Sequence, residues 1–265
     1  MAKQTPRPFS LDGLEGWTLD AERPDAPVVV VVHGSLDRSS TFIRSARRVD
    51  GATVVAYDRR GYGSSQRLSG SHGVEGGVAD LLEVMDAVGS RVAVGHSFGG
   101  VIALAAAQQH PSRFDAVAAF EPPQPWRRPP GEAPAPEPPP ADVDPAAEAE
   151  RFYRHIVGES AWDRLGERER EQLRRDGVAL VDDIRGVRSE RWLEGAPPVA
   201  PVAIGYGARS AERFRYYATE LARDWDVALL EEAERATHGA HLSAPDAFAH
   251  FISQTVTLTK EVHVA

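Results

Sequence analysis

The chain has 265 residues, of which 42% are hydrophobic and 26% charged, a composition typical of a globular protein with one sizeable core. Its formal net charge of −9 opposes binding to the phosphate backbone of nucleic acids, so we expect no nucleic-acid partner. The absence of cysteine excludes disulfides, thiolate nucleophiles and cysteine-ligated metal sites.

The first residues, MAKQTPRPFS, lack the apolar segment of a signal peptide. The valine run Val28–Val32 is much shorter than the roughly 20 residues of a membrane-spanning helix. These two features predict a soluble, cytoplasmic protein with no membrane partner.

Short valine-rich runs alternate with longer segments of helical spacing, the pattern of a mainly parallel sheet with helices on both faces. Residues 16–22 are predicted to form an antiparallel edge strand. The further strands are predicted at residues 28–32, 53–57, 91–95, 115–120, 202–205 and 227–230. The helices that flank them are predicted at residues 74–88, 98–109, 211–223 and 246–258. The predicted fold class is therefore α/β, with a doubly wound sheet.

The chain changes character between Pro122 and Pro145, where eleven of its twenty prolines lie. Proline disfavours helix interiors and central strands, so an irregular, polyproline-like segment is predicted. Residues 146–194 return to helical spacing and are rich in Arg and Glu. We predict a core domain interrupted by a proline-rich linker and helical cap: core residues 1–121 and 196–265, cap residues 122–195.

A G-x-S-x-G motif at residues 95–99 lies directly between a predicted strand and a predicted helix. This is the context of a nucleophile elbow, a strained turn that exposes a serine oxygen at the carboxyl edge of a sheet. Gly95 and Gly99 suit such a turn, because neighbouring backbone approaches closely on both sides of the serine. We therefore predict Ser97 as a nucleophile; the alternative is a tight turn that carries an ordinary serine.

The strand at 28–32 continues into a loop that begins with a histidine and a glycine. Acyl transfer develops negative charge on the carbonyl oxygen, and preorganised N–H donors must meet that charge. We predict these donors as the backbone N–H of Phe98 and one from the loop, at Ser35 or Leu36. His33 is predicted to anchor the loop rather than to act in catalysis.

Several segments together resemble the α/β-hydrolase family in their order and spacing. They are HG at 33–34, DRRGYGSS at 58–65, GHSFGG at 95–100 and the late His238. The resemblance covers nearly the whole chain and implies the α/β-hydrolase fold, with residues 122–194 as its variable cap. Residues 61–63 lack the third glycine of a dinucleotide-binding loop and are interpreted as a tight turn, with Asp58 and Arg59 structural.

The resemblance also implies that a histidine after the last strand is the general base. His238 is the first histidine after that strand and takes this role, whereas His241 is interpreted as a packing neighbour. The H-x-x-H spacing of the pair is also found in metal sites, but no third ligand lies at a familiar spacing. We therefore expect no metal and no cofactor.

A triad needs a carboxylate to orient the histidine. The resemblance places it shortly after the penultimate strand, where this sequence has Ser210. The strand that follows the nucleophile, however, ends at Glu121. Some members of the fold, among them one group of haloalkane dehalogenases and fungal zearalenone lactonases, are similar in using a glutamate there. We predict Glu121 as the acid; in the alternative it bonds the cap or the base loop without being required for turnover.

These residues predict a serine hydrolase that cleaves a carboxylic ester, lactone or thioester through an acyl-enzyme on Ser97. Dehalogenase and epoxide hydrolase chemistry is not expected, because both use a carboxylate nucleophile. Acyltransferase, cofactor-free peroxidase and carbon-carbon cleavage activities remain open, as does a non-catalytic protein that binds small molecules. An apolar or aromatic substrate is expected if the cap tryptophans line the pocket, but packing explains them equally well: Trp126, Trp162 and Trp192.

Overall fold

The computed structural model describes residues 4–68, 73–133 and 137–262. Within these segments the strands are β1 (Arg7–Leu11), β2 (Leu14–Leu19), β3 (Val28–Val32), β4 (Thr53–Tyr57), β5 (Val92–His96), β6 (Ala116–Phe120), β7 (Val202–Gly207) and β8 (Leu229–Ala233). They form one sheet in the order β1-β2-β4-β3-β5-β6-β7-β8. The strands β3 to β8 run parallel to one another. Strand β2 pairs antiparallel with β4, and β1 pairs antiparallel with β2. The predicted α/β fold with a mainly parallel sheet is confirmed.

Helices cover both faces of this sheet. They are α1 (Ile43–Ala46), α2 (Gly73–Val88), α3 (Phe98–Gln109), α4 (Pro145–Val157), α5 (Glu159–Arg164), α6 (Glu167–Arg175), α7 (Gly177–Ser189), α8 (Glu212–Trp225), α9 (Ala240–Ser243) and α10 (Pro245–Val262). Alternate valines of β3 point to opposite faces, Val30 and Val32 toward α2 and α3, Val29 and Val31 toward α10. Both faces are thus buried, which is why the strand is apolar throughout. No helix in the described part of the chain has the length and apolarity needed to cross a membrane.

The predicted edge strand at 16–22 is wrong in its place in the sheet. It corresponds to β2, which pairs antiparallel with β4, but β1 pairs with its other side and forms the edge. The two strands are joined at Asp12 and Gly13, both with positive φ. The side chains of β1 are mostly exposed, and only Phe9 and Leu11 alternate as partly buried apolar residues, too short a pattern to predict a strand.

The last strand begins later than predicted. Residues 227–230 were expected, whereas β8 spans Leu229–Ala233. Helix α8 ends at Trp225, the next residue Asp226 has a φ of 47°, and the N–H of Val227 still bonds to the carbonyl of Ala222. This left-handed C-terminal turn uses the residues that the apolar pattern had assigned to the strand.

The segment between β6 and β7 contains four helices, α4 to α7. Residues 122–133 and 137–144 form neither helix nor strand, and residues 134–136 of the proline-rich segment lie outside the described residues. Helix α4 begins at Pro145, where the Asp144 carboxylate accepts a hydrogen bond from the N–H of Ala146 at 3.0 Å. We call residues 122–195 the cap; its boundaries as a domain stay a prediction.

Asp176, between α6 and α7, gives the cap a pH-dependent stability. Its carboxylate accepts hydrogen bonds from Gln66 and Gln172 but is only 1% exposed, and burial raises its pKa to about 7. An unfolded Asp has a pKa of about 3.9, so between about pH 4 and 7 the folded protein retains a proton that the unfolded chain has released. Stability therefore falls as the pH rises toward 7.

We expect Asp176→Asn to stabilise the protein above pH 7 by up to about 4 kcal/mol, because a neutral side chain needs no proton. At pH 4 the variant and the wild type should be nearly equal in stability. Urea denaturation at the two pH values measures this, with the exposed Asp142→Asn as the matched control. Parallel stability profiles for Asp176→Asn and the wild type would contradict the prediction.

Candidate active site

Ser97 occupies a strained turn between β5 and α3, with φ 53° and ψ −123°. A Cβ at Gly95 would lie 2.1 Å from the carbonyl oxygen of Gly99. One at Gly99 would lie 2.3 Å from the carbonyl oxygen of Val32. Both positions therefore require glycine for steric reasons, and the turn leaves the Ser97 side chain partly exposed at the carboxyl edge of the sheet.

The side chains of Ser97, His238 and Glu121 form one hydrogen-bonded chain. His238 Nε2 lies 3.1 Å from Ser97 Oγ, and His238 Nδ1 lies 2.6 Å from Glu121 Oε2. The other carboxylate oxygen of Glu121 accepts the backbone N–H of Gly207 at 2.7 Å. Glu121 is fully buried, so this carboxylate exchanges no hydrogen bonds with bulk water.

Strand order brings the nucleophile and the carboxylate together. Strands β5 and β6 are neighbours in register, with His96 opposite Phe120, so the residues that follow each strand emerge side by side. The N–H of Ser97 donates to the carbonyl of Phe120 at 2.8 Å. Glu121 has a φ of 51°, which is rare for a residue other than glycine. Backbone strain of this kind is typical of functional sites.

Ser210 stands where the family usually has its acid. It lies close to Gly207, since a Cβ added to Gly207 would come within 2.7 Å of Ser210 Oγ. Its hydroxyl is buried and has no hydrogen-bond partner among the described residues. The carboxylate that reaches His238 in this structure is that of Glu121.

Two further contacts fix the position of His238, one to its ring and one to its backbone. Its ring stacks on Phe214 of α8, with ring centroids 4.2 Å apart and planes 15° from parallel. The backbone carbonyl oxygen of His238 lies 2.6 Å from His96 Nε2. Burial, helped by the nearby imidazoles of His241 and His238, holds the pKa of His96 well below its usual value. His96 is therefore neutral and donates Nε2–H to that carbonyl. Sequence analysis identified neither contact, although His96 lies within the G-x-S-x-G motif.

The loop after β3 is anchored by His33. Its Nδ1–H donates to the carbonyl of Gly34 at 2.7 Å, and its Nε2 accepts the N–H of Arg59 at 2.8 Å. Burial, together with the charge of Arg59, lowers the pKa of His33 to about 4, so the imidazole is neutral as these contacts require. A Cβ on Gly34 would lie 2.9 Å from that of Ser97, which places the loop against the nucleophile.

The candidate oxyanion donors lie on two sides of Ser97. Phe98 is the first residue of α3, so its N–H has no acceptor within the helix. Leu36, in the loop after β3, has a φ of 52°. Ser97 and Glu121 also have positive φ values. The hydroxyl of Ser35 donates to Asp183 at 2.7 Å.

Asp183, a buried residue of α7 in the cap, accepts hydrogen bonds from several core groups. The donors to its Oδ2 are Arg59 Nη2 at 2.6 Å, the Tyr62 hydroxyl at 2.6 Å and the Ser35 hydroxyl at 2.7 Å. Arg59 also donates from Nε to the carbonyl of His33, and its guanidinium lies 4.8 Å from the centre of the Phe98 ring. A cap carboxylate is thus tied to the loop beside the nucleophile, through a contact that no sequence pattern signalled.

Asp183→Ala is expected to destabilise the fold by about 3 to 5 kcal/mol, because it leaves the buried Arg59 charge without its partner. The matched control is Asp163→Ala, another cap aspartate, which pairs with Arg154 at the surface. An exposed ion pair contributes about 1 kcal/mol or less. Chemical denaturation measures both free energies of unfolding, and equal losses would contradict the assignment.

The cap tryptophans differ in their surroundings. Trp162 is buried in an apolar cluster that also includes Leu36 and Tyr62. The indole of Trp192 donates to the carbonyl of Gly186 at 2.7 Å. Trp126 packs against the main core with its indole N–H buried. Trp162 thus packs within an apolar cluster and Trp192 is hydrogen-bonded to α7, so any role for them in a pocket stays a prediction.

Comparison with known proteins gives the family. Residues 29–251, well over half of the chain, match the alpha/beta hydrolase family. The chain belongs to this family. Epoxide hydrolase A from Mycobacterium tuberculosis is 33% identical over 129 residues, a match that covers 46% of this chain and 40% of that protein.

Solved structures of low sequence identity share the α/β-hydrolase fold. The enol-lactonase from Burkholderia xenovorans LB400 has a TM-score of 0.69 at 20% identity, with coverage of 95% of this chain and 100% of that one. A thioesterase domain from the curacin biosynthetic pathway has a TM-score of 0.61, also at 20% identity, over 94% and 98% of the two chains. At this identity the likeness shows the fold alone.

Proposed function

We propose that this α/β-hydrolase-family protein is a serine hydrolase that cleaves a carboxylic ester, lactone or thioester, with Ser97, His238 and Glu121 as its triad. The observation that carries the proposal is the hydrogen-bonded chain from Ser97 Oγ through the His238 ring to the buried Glu121 carboxylate. A nucleophile, a base and an orienting acid in this arrangement are the minimum equipment for acyl transfer through a covalent intermediate.

The proton positions follow from the contacts. Glu121 accepts Nδ1–H of His238, so Nε2 carries a lone pair that faces Ser97 Oγ. In the proposed reaction Nε2 takes the hydroxyl proton as Ser97 attacks the carbonyl carbon. The imidazolium then protonates the leaving oxygen or sulfur, and an acyl-enzyme remains on Ser97. His238 next deprotonates a water, which attacks the acyl carbon. The bond from that carbon to Ser97 Oγ then breaks, the imidazolium returns its proton to Oγ, and the acid is released.

The tetrahedral intermediates carry a negative oxygen. We assign its donors to the backbone N–H of Phe98 and an N–H of the loop after β3, at Leu36 or Ser35. Support comes from the approach of this loop to Ser97 and from the bonds of His33 and Arg59 that fix its backbone. Donors held in place before the reaction stabilise charge without reorganisation during the step.

Two aromatic side chains support an apolar or aromatic substrate: Phe98 directly follows Ser97 in the chain, and Phe214 stacks on His238. The two solved neighbours, an enol-lactonase and a thioesterase domain, have names that fall within the proposed reaction class. The name of the mycobacterial relative points to epoxides, but epoxide hydrolases of this fold use a carboxylate nucleophile, and this chain has serine at position 97.

Labelling with a fluorophosphonate probe tests the proposal. We expect stoichiometric, covalent modification of Ser97, located by peptide mass spectrometry, because the probe reports a serine activated by its base. Hydrolysis of p-nitrophenyl esters of increasing chain length then defines the acyl preference, and added alcohols reveal acyl transfer. A folded protein that neither reacts with the probe nor turns over any ester, lactone or thioester would instead be the binding protein of the alternative.

A further inference from the structure

A second cluster of polar side chains lies next to the triad and has no part in the proposed reaction. It consists of Asp37 in the loop after β3, His96 at the end of β5 and His241 in α9. One potential ligand atom from each residue lies within 4.8 Å of the other two. The two histidines are 4% and 2% exposed. Two imidazoles and a carboxylate thus converge in the interior from three separate parts of the chain.

Polar atoms of this cluster are buried with few partners among the described residues. Nδ1 of His96 and Nδ1 of His241 make no hydrogen bond there, and His241 Nε2 and Asp37 Oδ2 contact only each other. A buried polar atom without a partner costs about 1 to 3 kcal/mol, so a group of them points to a missing ligand. His241 Nε2 and Asp37 Oδ2 are 3.2 Å apart. Two ligands at ordinary zinc bond lengths stand about 3.3 Å apart around a tetrahedral ion.

In Asp37 and His96, the polar side-chain atom that points away from the cluster is held by hydrogen bonds. Asp37 Oδ1 accepts the N–H of Arg38 and the hydroxyl of Thr41, each at 2.8 Å. The Nε2–H of His96 donates to the carbonyl of His238 at 2.6 Å, which leaves the lone pair on Nδ1 directed into the cluster. Metal-binding imidazoles and carboxylates are typically oriented by such outer hydrogen bonds.

We propose that Asp37, His96 and His241 bind a divalent transition-metal ion, for which Zn²⁺ is the best match. Nitrogen and carboxylate oxygen ligands suit Zn²⁺, and three such ligands would leave the fourth tetrahedral position to a water. Through His96 the site adjoins the carbonyl of His238, so a bound ion would stabilise the loop that carries the proposed base. Sequence analysis predicted no metal, because no third ligand lies at a familiar spacing from His238 and His241. The proposed site uses only His241 of that pair.

Metal titration of the full-length protein tests this. After dialysis against a chelator, the wild type should bind one Zn²⁺ by calorimetry, and one Co²⁺ with visible ligand-field absorption bands. Asp37→Asn and His241→Gln should each weaken binding at least tenfold and abolish the rise in melting temperature on addition of Zn²⁺. The exposed histidine variant His250→Gln is the matched control and should bind as the wild type does.

The proposal is overturned if the wild type binds no stoichiometric metal, or if Asp37→Asn and His241→Gln bind as tightly as the wild type does. Should both variants fail to fold, Thr41→Val decides, because it removes a hydrogen bond to Asp37 and keeps all three ligands. We expect it to weaken Zn²⁺ binding about tenfold, and unchanged affinity would overturn the site. None of these measurements uses an ester substrate, so they are independent of the proposed hydrolase activity.

Discussion

Ser97→Ala is expected to lower kcat for ester hydrolysis by at least about 10⁴-fold, and to abolish fluorophosphonate labelling. Alanine removes the oxygen that attacks the substrate, and the remaining site offers no other nucleophile in contact with His238 Nε2 among the described residues. The fold should persist, because the close backbone approaches of the turn depend on Gly95 and Gly99 rather than on the serine hydroxyl.

Steady-state kinetics with an activated ester measure the loss, and circular dichroism shows whether the variant is folded. The exposed Ser64→Ala serves as a control for serine replacement outside the site and should retain wild-type turnover. A folded Ser97→Ala protein with near-normal esterase activity would refute the nucleophile assignment.

Glu121→Gln is expected to lower kcat by about 10³- to 10⁴-fold, the scale that triad acids show elsewhere. Oε1 of Glu121 accepts the N–H of Gly207, so the glutamine carbonyl would keep that bond and direct its amide NH₂ toward His238 Nδ1. An N–H donor there requires Nδ1 to accept, which places the imidazole proton on Nε2. His238 in that tautomer cannot take the proton of Ser97.

Ser210→Ala is the matched control for Glu121→Gln, because it changes the position where the family usually has its acid. Its hydroxyl makes no hydrogen bond within the described part of the chain, so activity should stay near that of the wild type. Ser210→Asp in the Glu121→Gln background should restore part of kcat if that position still reaches the base. Strong loss in Ser210→Ala, or nearly full activity in Glu121→Gln, would contradict the assignment of the acid.

Sequence alone predicted those helices and strands whose residue pattern follows directly from their local surroundings. The valine runs predicted the parallel strands because burial on both faces requires apolar side chains throughout. The bounds of α3 were predicted without error, since the nucleophile turn fixes where β5 ends and the helix begins. Strand β1 was missed because its apolar alternation consists of only two residues, Phe9 and Leu11.

In the candidate site, too, some residues were predicted from the sequence and some contacts were not. Ser97 and Glu121 were recognisable because each lies just past the end of a predicted strand, and carboxyl ends of neighbouring parallel strands share one edge of the sheet. His238 lies farther along the loop after the last strand and was predicted from the family resemblance. Phe214 stacks on His238 from the first turn of α8, an amphipathic helix whose sequence contains nothing that marks the contact.

The sequence by itself therefore determined the fold class and the turn that presents Ser97, because these depend on local patterns in the chain. The candidate triad residues are distant in sequence and were predicted from the ends of strands and from the family resemblance. Only the tertiary structure decided that Asp183 of the cap bonds Arg59 and that Asp37 faces His241. These partners are separated by 124 and 204 positions, respectively. A contact over such a separation depends on how the whole chain packs, and packing leaves no periodic or spacing signal in either segment.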